Sequence, residues 1–306
     1  MNKRSLHLAA APLALVVALL SGCGDGSGGA AGSTPVAAAS TVPPSTEPAT
    51  TQATAPATTV LATTSTLAPV EPIRVLVTND DGVSAEGIDS IVQALLEYPD
   101  VEVTVVAPAT EQSGQGGNTT AGPLTVNDAT TASGYPAKAV VGFPADTVIW
   151  ALDQGGLTFV PDLVVSGANK GQNLGPVVDA SGTVGAARAA AVRNIPAIAV
   201  SAGFGEVVDF EAATAALITY LDENLAGIVA HEEGAPVAEV VSINSPTCGQ
   251  GEIRGTVVVP LGTDLQGFDY GIAVDCSSTV ENPADDVQAF FNGFIAISPT
   301  PLRPAG

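Results

Sequence analysis

The chain has 306 residues, and 31 Asp and Glu against 9 Lys and Arg give it a formal net charge of −22. This acidic balance excludes a nucleic-acid polymer as a partner, because such polymers are bound through clusters of basic side chains. It is typical of an exported protein whose charge keeps it in solution.

The first 23 residues have the layout of a secretory signal. A basic start, Met1-Asn-Lys-Arg4, is followed by an apolar run, Leu8 to Leu20, that is too short for a transmembrane helix. Leu20-Ser-Gly-Cys23 resembles a bacterial lipobox, which would make Cys23 a lipidated N-terminus. The alternative is an ordinary signal peptide that contains a cysteine. We expect a protein anchored to the outer face of the plasma membrane by lipid alone, or else secreted.

The next segment, residues 24–72, consists almost entirely of Ala, Thr, Ser, Pro and Gly, with no aromatic residue. It cannot bury enough apolar surface to offset its ordering entropy, so we predict a disordered linker. The folded domain is then residues 73–306, a length typical of one α/β domain.

The domain begins with a strand that ends in two carboxylates. Ile73 to Val77 is a branched apolar run typical of a strand buried on both faces, and Asn79-Asp-Asp-Gly82 is turn chemistry. Ligands of open α/β sheets bind at the carboxyl ends of strands, and adjacent carboxylates repel unless a cation separates them. A hard divalent ion with oxygen ligands fits Asp80 and Asp81. The alternative is an Asp-rich turn that caps the following helix.

A helix and a second strand follow. Ser84 is placed to cap a helix whose apolar residues run from Ile88 to Leu96, and Val101 to Ala107 is the next strand. This βαβ unit predicts a parallel sheet. The polar loop 108–120 is rich enough in glycine to wrap an anion, but it matches neither a Walker loop nor a dinucleotide turn.

The same pattern occurs again. Leu163 to Val165 is a short apolar strand that ends in a Ser/Gly/Asn loop, and a helix rich in alanine is predicted over 186–193. Ser181 and Thr183 precede that helix, where they could hydrogen-bond a phosphate or simply cap the helix. Three strands therefore bring carboxylate, hydroxyl and amide groups to one edge of the sheet, which favours metal-assisted phosphate chemistry.

The few cysteines and histidines limit which disulfide and which catalytic class are open to this chain. With Cys23 assigned to lipid, Cys248 and Cys276 remain, and in an oxidising compartment they are either a disulfide or two buried thiols. A Ser-His-Asp triad would have to use His231, a lone histidine in a polar stretch, which disfavours a serine hydrolase.

Together the ordered motifs resemble one family, the SurE survival proteins, which are metal-dependent nucleoside monophosphate phosphatases. The matching segments are Thr78-Asn-Asp-Asp-Gly82, Ala107-Pro108 with Gln112-Ser-Gly114, Gly142-Phe-Pro-Ala-Asp146, Pro161 to Asn169, Asn173-Leu-Gly175, Ser181 to Arg188, Ile195 to Ser201 and Gly293 to Pro299. The resemblance implies a Rossmann-like parallel sheet flanked by helices, with a C-terminal β extension.

The resemblance also implies a site. It assigns one divalent ion per subunit, Mg²⁺ or Mn²⁺, to Asp80, Asp81, Ser113 and Asn169, with one aspartate as a possible base or nucleophile. It places phosphate near Asn79, Gly167, Ser181 and Thr183. It implies a homodimer that hydrolyses 5′- or 3′-nucleotides or another phosphomonoester. The loop departs from the family pattern at Thr110 and at Gly116-Gly-Asn118, where basic and histidine side chains are usual, so base preference is open.

Three other functions are weighed against this one. Short polyphosphate is an alternative substrate. A non-catalytic lipoprotein that captures nucleotide or phosphate is a different class of answer, but such a binder gains little from two carboxylates. A structural surface protein is the third, and the presence of Ser113 and Asn169 disfavours it.

Overall fold

The protein is described by a computed structural model over residues 71–302. The predicted signal segment 1–23 with Cys23, and the linker 24–72 apart from its last two residues, lie outside this range. None of the helices between residues 71 and 302 combines the length and apolarity needed to cross a membrane.

Within the described residues the chain forms eleven strands, five α-helices and one 3₁₀ helix. In chain order these are β1 (Ile73–Thr78), α1 (Glu86–Glu97), β2 (Val101–Pro108), β3 (Thr125–Thr130), β4 (Pro136–Val141), α2 (Pro144–Asp153), β5 (Leu163–Lys170), the 3₁₀ helix (Gly175–Asp179), α3 (Gly182–Ala191), β6 (Ala197–Ala202), α4 (Phe210–Val229), β7 (Glu239–Ser245), β8 (Cys248–Gly251), β9 (Thr256–Val258), β10 (Val274–Cys276), α5 (Asp286–Phe291) and β11 (Ile295–Pro301).

The main sheet has nine strands among the described residues, in the order β3-β4-β2-β1-β5-β6-β7-β11-β9. The central strands are parallel, whereas β3 runs antiparallel to β4 and β11 antiparallel to β7. The predicted α/β fold with a C-terminal β extension is confirmed, and the sheet is mixed rather than purely parallel. The parallel order brings the carboxyl ends of β1, β2, β5, β6 and β7 to one edge, where ligands of such sheets bind.

Both faces of the sheet are buried, which explains the unbroken apolar runs in its strands. Val75 and Val77 pack with Ile91 of α1 and Leu217 of α4. Leu76, the residue between them, points to the other face and joins the core formed with α2 and α3. Alternate side chains of a central strand therefore enter two different apolar cores, one on each face of the sheet. Each core packs a layer of helices against its face.

Three local boundaries differ from the sequence predictions. The N-cap of α1 is Ala85, without a side-chain hydrogen bond, so the prediction that Ser84 caps this helix is wrong. β5 continues to Lys170 because its polar segment is also buried within the sheet. α3 begins at Gly182, four residues before the predicted start, because Ser181 caps it.

The C-terminal elements form a third core. Val274, Val287, Phe290 and Phe294 pack there with Cys276, whose sulfur is bonded to that of Cys248 across a sequence separation of 28 residues. This disulfide ties the two-stranded sheet of β8 and β10 together. In an exported protein such a bond would persist.

Replacing both cysteines with serine is expected to lower the free energy of unfolding by about 3–4 kcal/mol, because the unfolded chain loses a loop constraint of this length. Urea unfolding followed by circular dichroism would measure the change. A reductant should lower the free energy of unfolding of the natural protein by the same amount and leave that of the double variant unchanged. Equal stability of the two proteins would show that the bond contributes nothing.

Candidate active site

The turn after β1 is shaped by Asn79. Its side-chain amide donates to the carbonyl oxygen of Gly82 at 2.9 Å, and its carbonyl accepts from the Gly82 N–H at 3.2 Å. Gly82 has φ +103°, a conformation that favours glycine. These contacts fix the direction in which the next two residues leave the strand.

Asp80 lies buried behind this turn, with 2% of its surface exposed. Burial raises the pKa of its carboxyl to about 6, the hydroxyl of Thr183 opposes that change, and the nearby Asp81 adds to it. The Thr183 hydroxyl donates to Asp80 Oδ1 at 2.7 Å. The protein therefore holds a carboxylate where its charge is unfavourable without a cation.

Asp81 joins the turn after β1 to Lys170, the last residue of β5. Its Oδ2 accepts from the backbone N–H of Lys170 at 2.9 Å. Burial raises the pKa of Asp81, the Lys170 N–H lowers it, and the carboxylate of Glu111 raises it. Three carboxylates thus influence one another at this edge of the sheet.

Asn169 provides an oxygen with no partner. Its side-chain N–H donates to the carbonyl of Gly171, which fixes the amide orientation. Asn169 is 7% exposed, and its Oδ1 has no hydrogen-bond partner among the described residues. An unpaired buried acceptor is costly, so this oxygen is available as a ligand for a cation or a donor.

Ser113 lies on the loop that follows β2, and backbone contacts hold that loop in place. The N–H of Gln112 donates to the carbonyl oxygen of Asp80 at 2.7 Å. The N–H of Gly116 donates to the carbonyl oxygen of Ala180 at 2.9 Å, just before α3. Ser113 is exposed on this anchored loop, next to the residue that contacts Asp80.

The start of α3 closes the other side of the site. The Ser181 hydroxyl oxygen accepts from the N–H of Val184 at 3.1 Å, so the capping interpretation of Ser181 is confirmed. The N-terminus of a helix also favours anions. Thr183 contacts Asp80 directly. The structure gives Asn79 a turn-forming contact and packs Gly167 against the carbonyl of Val200, and their predicted place beside phosphate stays a prediction.

The donor set fits a hard cation. The turn after β1, the loop after β2 and the carboxyl end of β5 offer two carboxylates, one hydroxyl and one unpartnered amide oxygen, which are the ligands that Mg²⁺ and Mn²⁺ take. Among residues 71–302 no group of three or more His, Cys, Asp or Glu is arranged to hold a metal. A cation at this site would therefore depend on the neutral oxygens as well as on the aspartates.

Sequence reasoning missed two residues that hold the site together. Lys170 appeared only as part of a loop, although its N–H fixes Asp81. Asp146 ends the motif Gly142-Phe-Pro-Ala-Asp146, and the sequence predicts no role for it. Its carboxylate is fully buried and accepts from the N–H of Thr120 at 2.9 Å, the Thr120 hydroxyl at 2.7 Å and the Phe143 N–H at 2.8 Å. The buried Gly-x-Pro-Ala-Asp turn was the signal for this capping aspartate.

Replacing Asp146 with alanine is expected to lower the free energy of unfolding by about 3 kcal/mol, because it removes hydrogen bonds to a buried charge. Thermal or urea unfolding would measure this. Asp128→Ala is the control, since Asp128 forms an exposed ion pair with Lys138 and exposed pairs contribute little. Equal effects of the two substitutions would contradict the prediction.

A cleft of about 490 Å³ opens beside the site. It shares Asp81 and Lys170 with the site and is otherwise lined by Ala85, Glu86, Gly205, Glu206, Val207, Val208 and Phe210. Its wall is therefore partly apolar and carries two exposed carboxylates, Glu86 and Glu206. A group attached to a phosphate in the site has room to lie there.

Comparison with known proteins gives a consistent result. The family model described as "Survival protein SurE" matches residues 75–267. A protein of Syntrophobacter fumaroxidans named 5′-nucleotidase SurE is 37% identical over 240 residues, covering 74% of this chain and 92% of its own length. One of the same name from Carboxydothermus hydrogenoformans is 41% identical over 241 residues, covering 74% and 89%. The crystal structure of the SurE protein from Aquifex aeolicus matches with a TM-score of 0.59 and 28% identity, covering 76% of this chain and 95% of that one.

Proposed function

This chain belongs to the SurE family, and we propose that it is a phosphomonoesterase that hydrolyses nucleoside 5′- or 3′-monophosphates. Membership is supported by relatives that carry the name 5′-nucleotidase. The observation that carries the proposal for this chain is the pair of buried Asp80 and half-buried Asp81, held by Thr183 and Lys170, together with the unpartnered oxygen of Asn169.

The proposal includes one divalent ion, Mg²⁺ or Mn²⁺, held by Asp80, Asp81, Ser113 and Asn169. When bound, such an ion would polarise the phosphate and lower the pKa of a water molecule. The chain's own residues would do the rest. Thr183 donates a hydrogen bond to one Asp80 oxygen, and Lys170 orients Asp81. The N-terminus of α3 favours a phosphate oxygen, and the Ser181 hydroxyl, whose oxygen caps that helix, would donate its proton to the same phosphate.

The cleft beside Asp81 supports a nucleoside rather than a polyphosphate leaving group. Glu86 and Glu206 are exposed on its wall and outnumber the one basic residue of the lining, Lys170. Carboxylates repel a second phosphate and accept hydrogen bonds from sugar hydroxyls. The apolar residues Val207 and Val208 offer a surface for a base. We therefore favour nucleotides over short polyphosphate as the substrate.

The test is phosphate release from nucleoside monophosphates, p-nitrophenyl phosphate and tripolyphosphate by the purified protein, with Mg²⁺, Mn²⁺ or EDTA. We expect release that needs a metal, that is lost in Asp81→Asn and that is retained in the surface control Asp128→Asn. Faster release from tripolyphosphate would contradict the preference for nucleotides. Calorimetric binding of metal and nucleotide without turnover would favour the capture protein instead.

We further propose that the protein acts outside the cytoplasm as a homodimer, tethered through lipid on Cys23. The signal-like segment 1–23 and the low-complexity linker that follows it support the location and the anchor. The homodimer is proposed from the family resemblance alone. Labelling cells with a radioactive fatty acid should mark the protein and fail to mark Cys23→Ser. Light scattering of the purified protein would give the mass of the assembly.

A further inference from the structure

Four neutral side chains form a buried network behind Asp80. They are Thr183 on α3, Asn173 on the loop after β5, Ser201 on β6 and Asn244 on β7, and each has at most 6% of its surface exposed. None of the four lines the cleft beside Asp81, and Asn244 and Ser201 are each only 1% exposed, so we expect the substrate not to touch these two. The network instead connects the centre of the sheet to an aspartate that we place at the reacting phosphate.

Asn244 holds the main chain of Asn173 at both of its polar groups. The Asn173 N–H donates to Asn244 Oδ1 at 2.7 Å, and Asn244 Nδ2 donates to the Asn173 carbonyl at 3.1 Å. The Asn244 side chain thereby satisfies the backbone N–H and C=O of Asn173, as a neighbouring strand would in a sheet. The amide orientation is unambiguous, since a backbone N–H only donates and a carbonyl oxygen only accepts.

The remaining bonds have a defined direction that begins at Asp80. A carboxylate accepts, so the Thr183 hydroxyl must give its single proton to Asp80 Oδ1, at 2.7 Å. Its oxygen then accepts from Asn173 Nδ2 at 3.4 Å, and the other Nδ2 proton goes to Ser201 Oγ at 2.9 Å. The network therefore holds Asp80 through Oδ1, whereas Asp80 Oδ2 lies outside it, beside Gly182 at the start of α3.

We infer that Asn244 is a positioning residue for Asp80: through Asn173 and Thr183 it fixes the orientation in which the Asp80 carboxylate is presented to a cation. Part of this inference rests on the proposed function, because the cation belongs to it. The geometry itself does not, since each contact is between residues of the chain. Outer contacts of this kind orient metal ligands.

The test compares Asn244→Ala with Ser242→Ala. Ser242 lies on the same strand, is 1% exposed and bonds the hydroxyl of Thr300 at 2.9 Å, so its removal also breaks one buried side-chain contact, but one outside the network. We expect Asn244→Ala to weaken Mn²⁺ binding measured by calorimetry at least tenfold and to lower kcat by about 10–100-fold, with KM within about threefold. Ser242→Ala should change none of these three quantities by more than about twofold.

A second pair of variants covers the case in which Asn244→Ala does not fold. Thr183→Val removes the hydroxyl at nearly constant shape and should weaken Mn²⁺ binding as much as Asn244→Ala, whereas Thr183→Ser should restore it. An Mn²⁺ affinity equal to that of the natural protein, in either Asn244→Ala or Thr183→Val, would overturn the inference. Equal losses in Ser242→Ala would overturn it too, because they would indicate general loosening.

Hydrogen exchange separates failure of the inference from failure of the proposed function. If the natural protein releases no phosphate and binds no Mn²⁺, the proposed function is wrong. Amide exchange of the segment 173–184 then decides the positioning inference alone. Faster exchange there in Asn244→Ala, but not in Ser242→Ala, supports it, and unchanged exchange overturns it.

Discussion

Replacing Asp80 with asparagine is expected to lower kcat for nucleotide hydrolysis by about 10³-fold, since loss of one ligand charge removes several kcal/mol of transition-state stabilisation. Asparagine keeps the shape of the side chain, and its carbonyl oxygen still accepts from the Thr183 hydroxyl. The expected loss is therefore one of charge rather than of structure. Phosphate release with saturating Mg²⁺ would measure it.

The same substitution should stabilise the metal-free protein. Burial raises the pKa of Asp80 to about 6, so its stabilising contribution is greatest at low pH and is lost as the pH rises through 6. In EDTA, the natural protein should lose stability between about pH 4 and pH 7 relative to Asp80→Asn, by up to about 3 kcal/mol. Equal stability profiles in EDTA would show that the Asp80 charge is not disfavoured by the fold.

Replacing Gly182 with alanine is expected to lower kcat about 10²-fold, because displacement of a reacting group by about 1 Å has an effect of this size. A Cβ at Gly182 would lie 2.8 Å from Cβ of Asp80, 2.9 Å from Oδ2 of Asp80 and 2.9 Å from the ring of Pro144. Rotation of the Asp80 carboxyl group does not relieve the contact between the two Cβ atoms, so Asp80 or the start of α3 must move. Weaker Mn²⁺ binding measured by calorimetry should accompany the loss of rate.

Gly227→Ala provides the matched control for this effect. Gly227 lies in α4, and a Cβ there would meet nothing within 4 Å. The substitution should leave kcat unchanged and increase the free energy of unfolding by up to about 1 kcal/mol through helix propensity. A loss of activity in Gly227→Ala as large as in Gly182→Ala would remove the steric explanation.

The central strands, their parallel pairing and the edge that carries the site were predictable from local pattern, whereas the order of the strands was not. Apolar runs that end in polar residues mark strands and their carboxyl ends, and parallel pairing brings those ends together. Asp80 and Asp81 were identifiable because they are adjacent in sequence at such an end. The wrong cap at Ser84 and the late start predicted for α3 have a common cause, since helix ends depend on one or two hydrogen bonds that flanking residues compete to make.

The sequence by itself determined the α/β class, the family and the pair of carboxylates, because these depend on periodicity and on neighbours along the chain. Only the tertiary structure decided which buried polar side chains contact and position the pair. Thr183 is 103 residues from Asp80, and Asn244 is 71 residues from Asn173. Such pairings follow from the strand order β1-β5-β6-β7, and a single buried Asn or Thr carries no periodic signal that would reveal its partner.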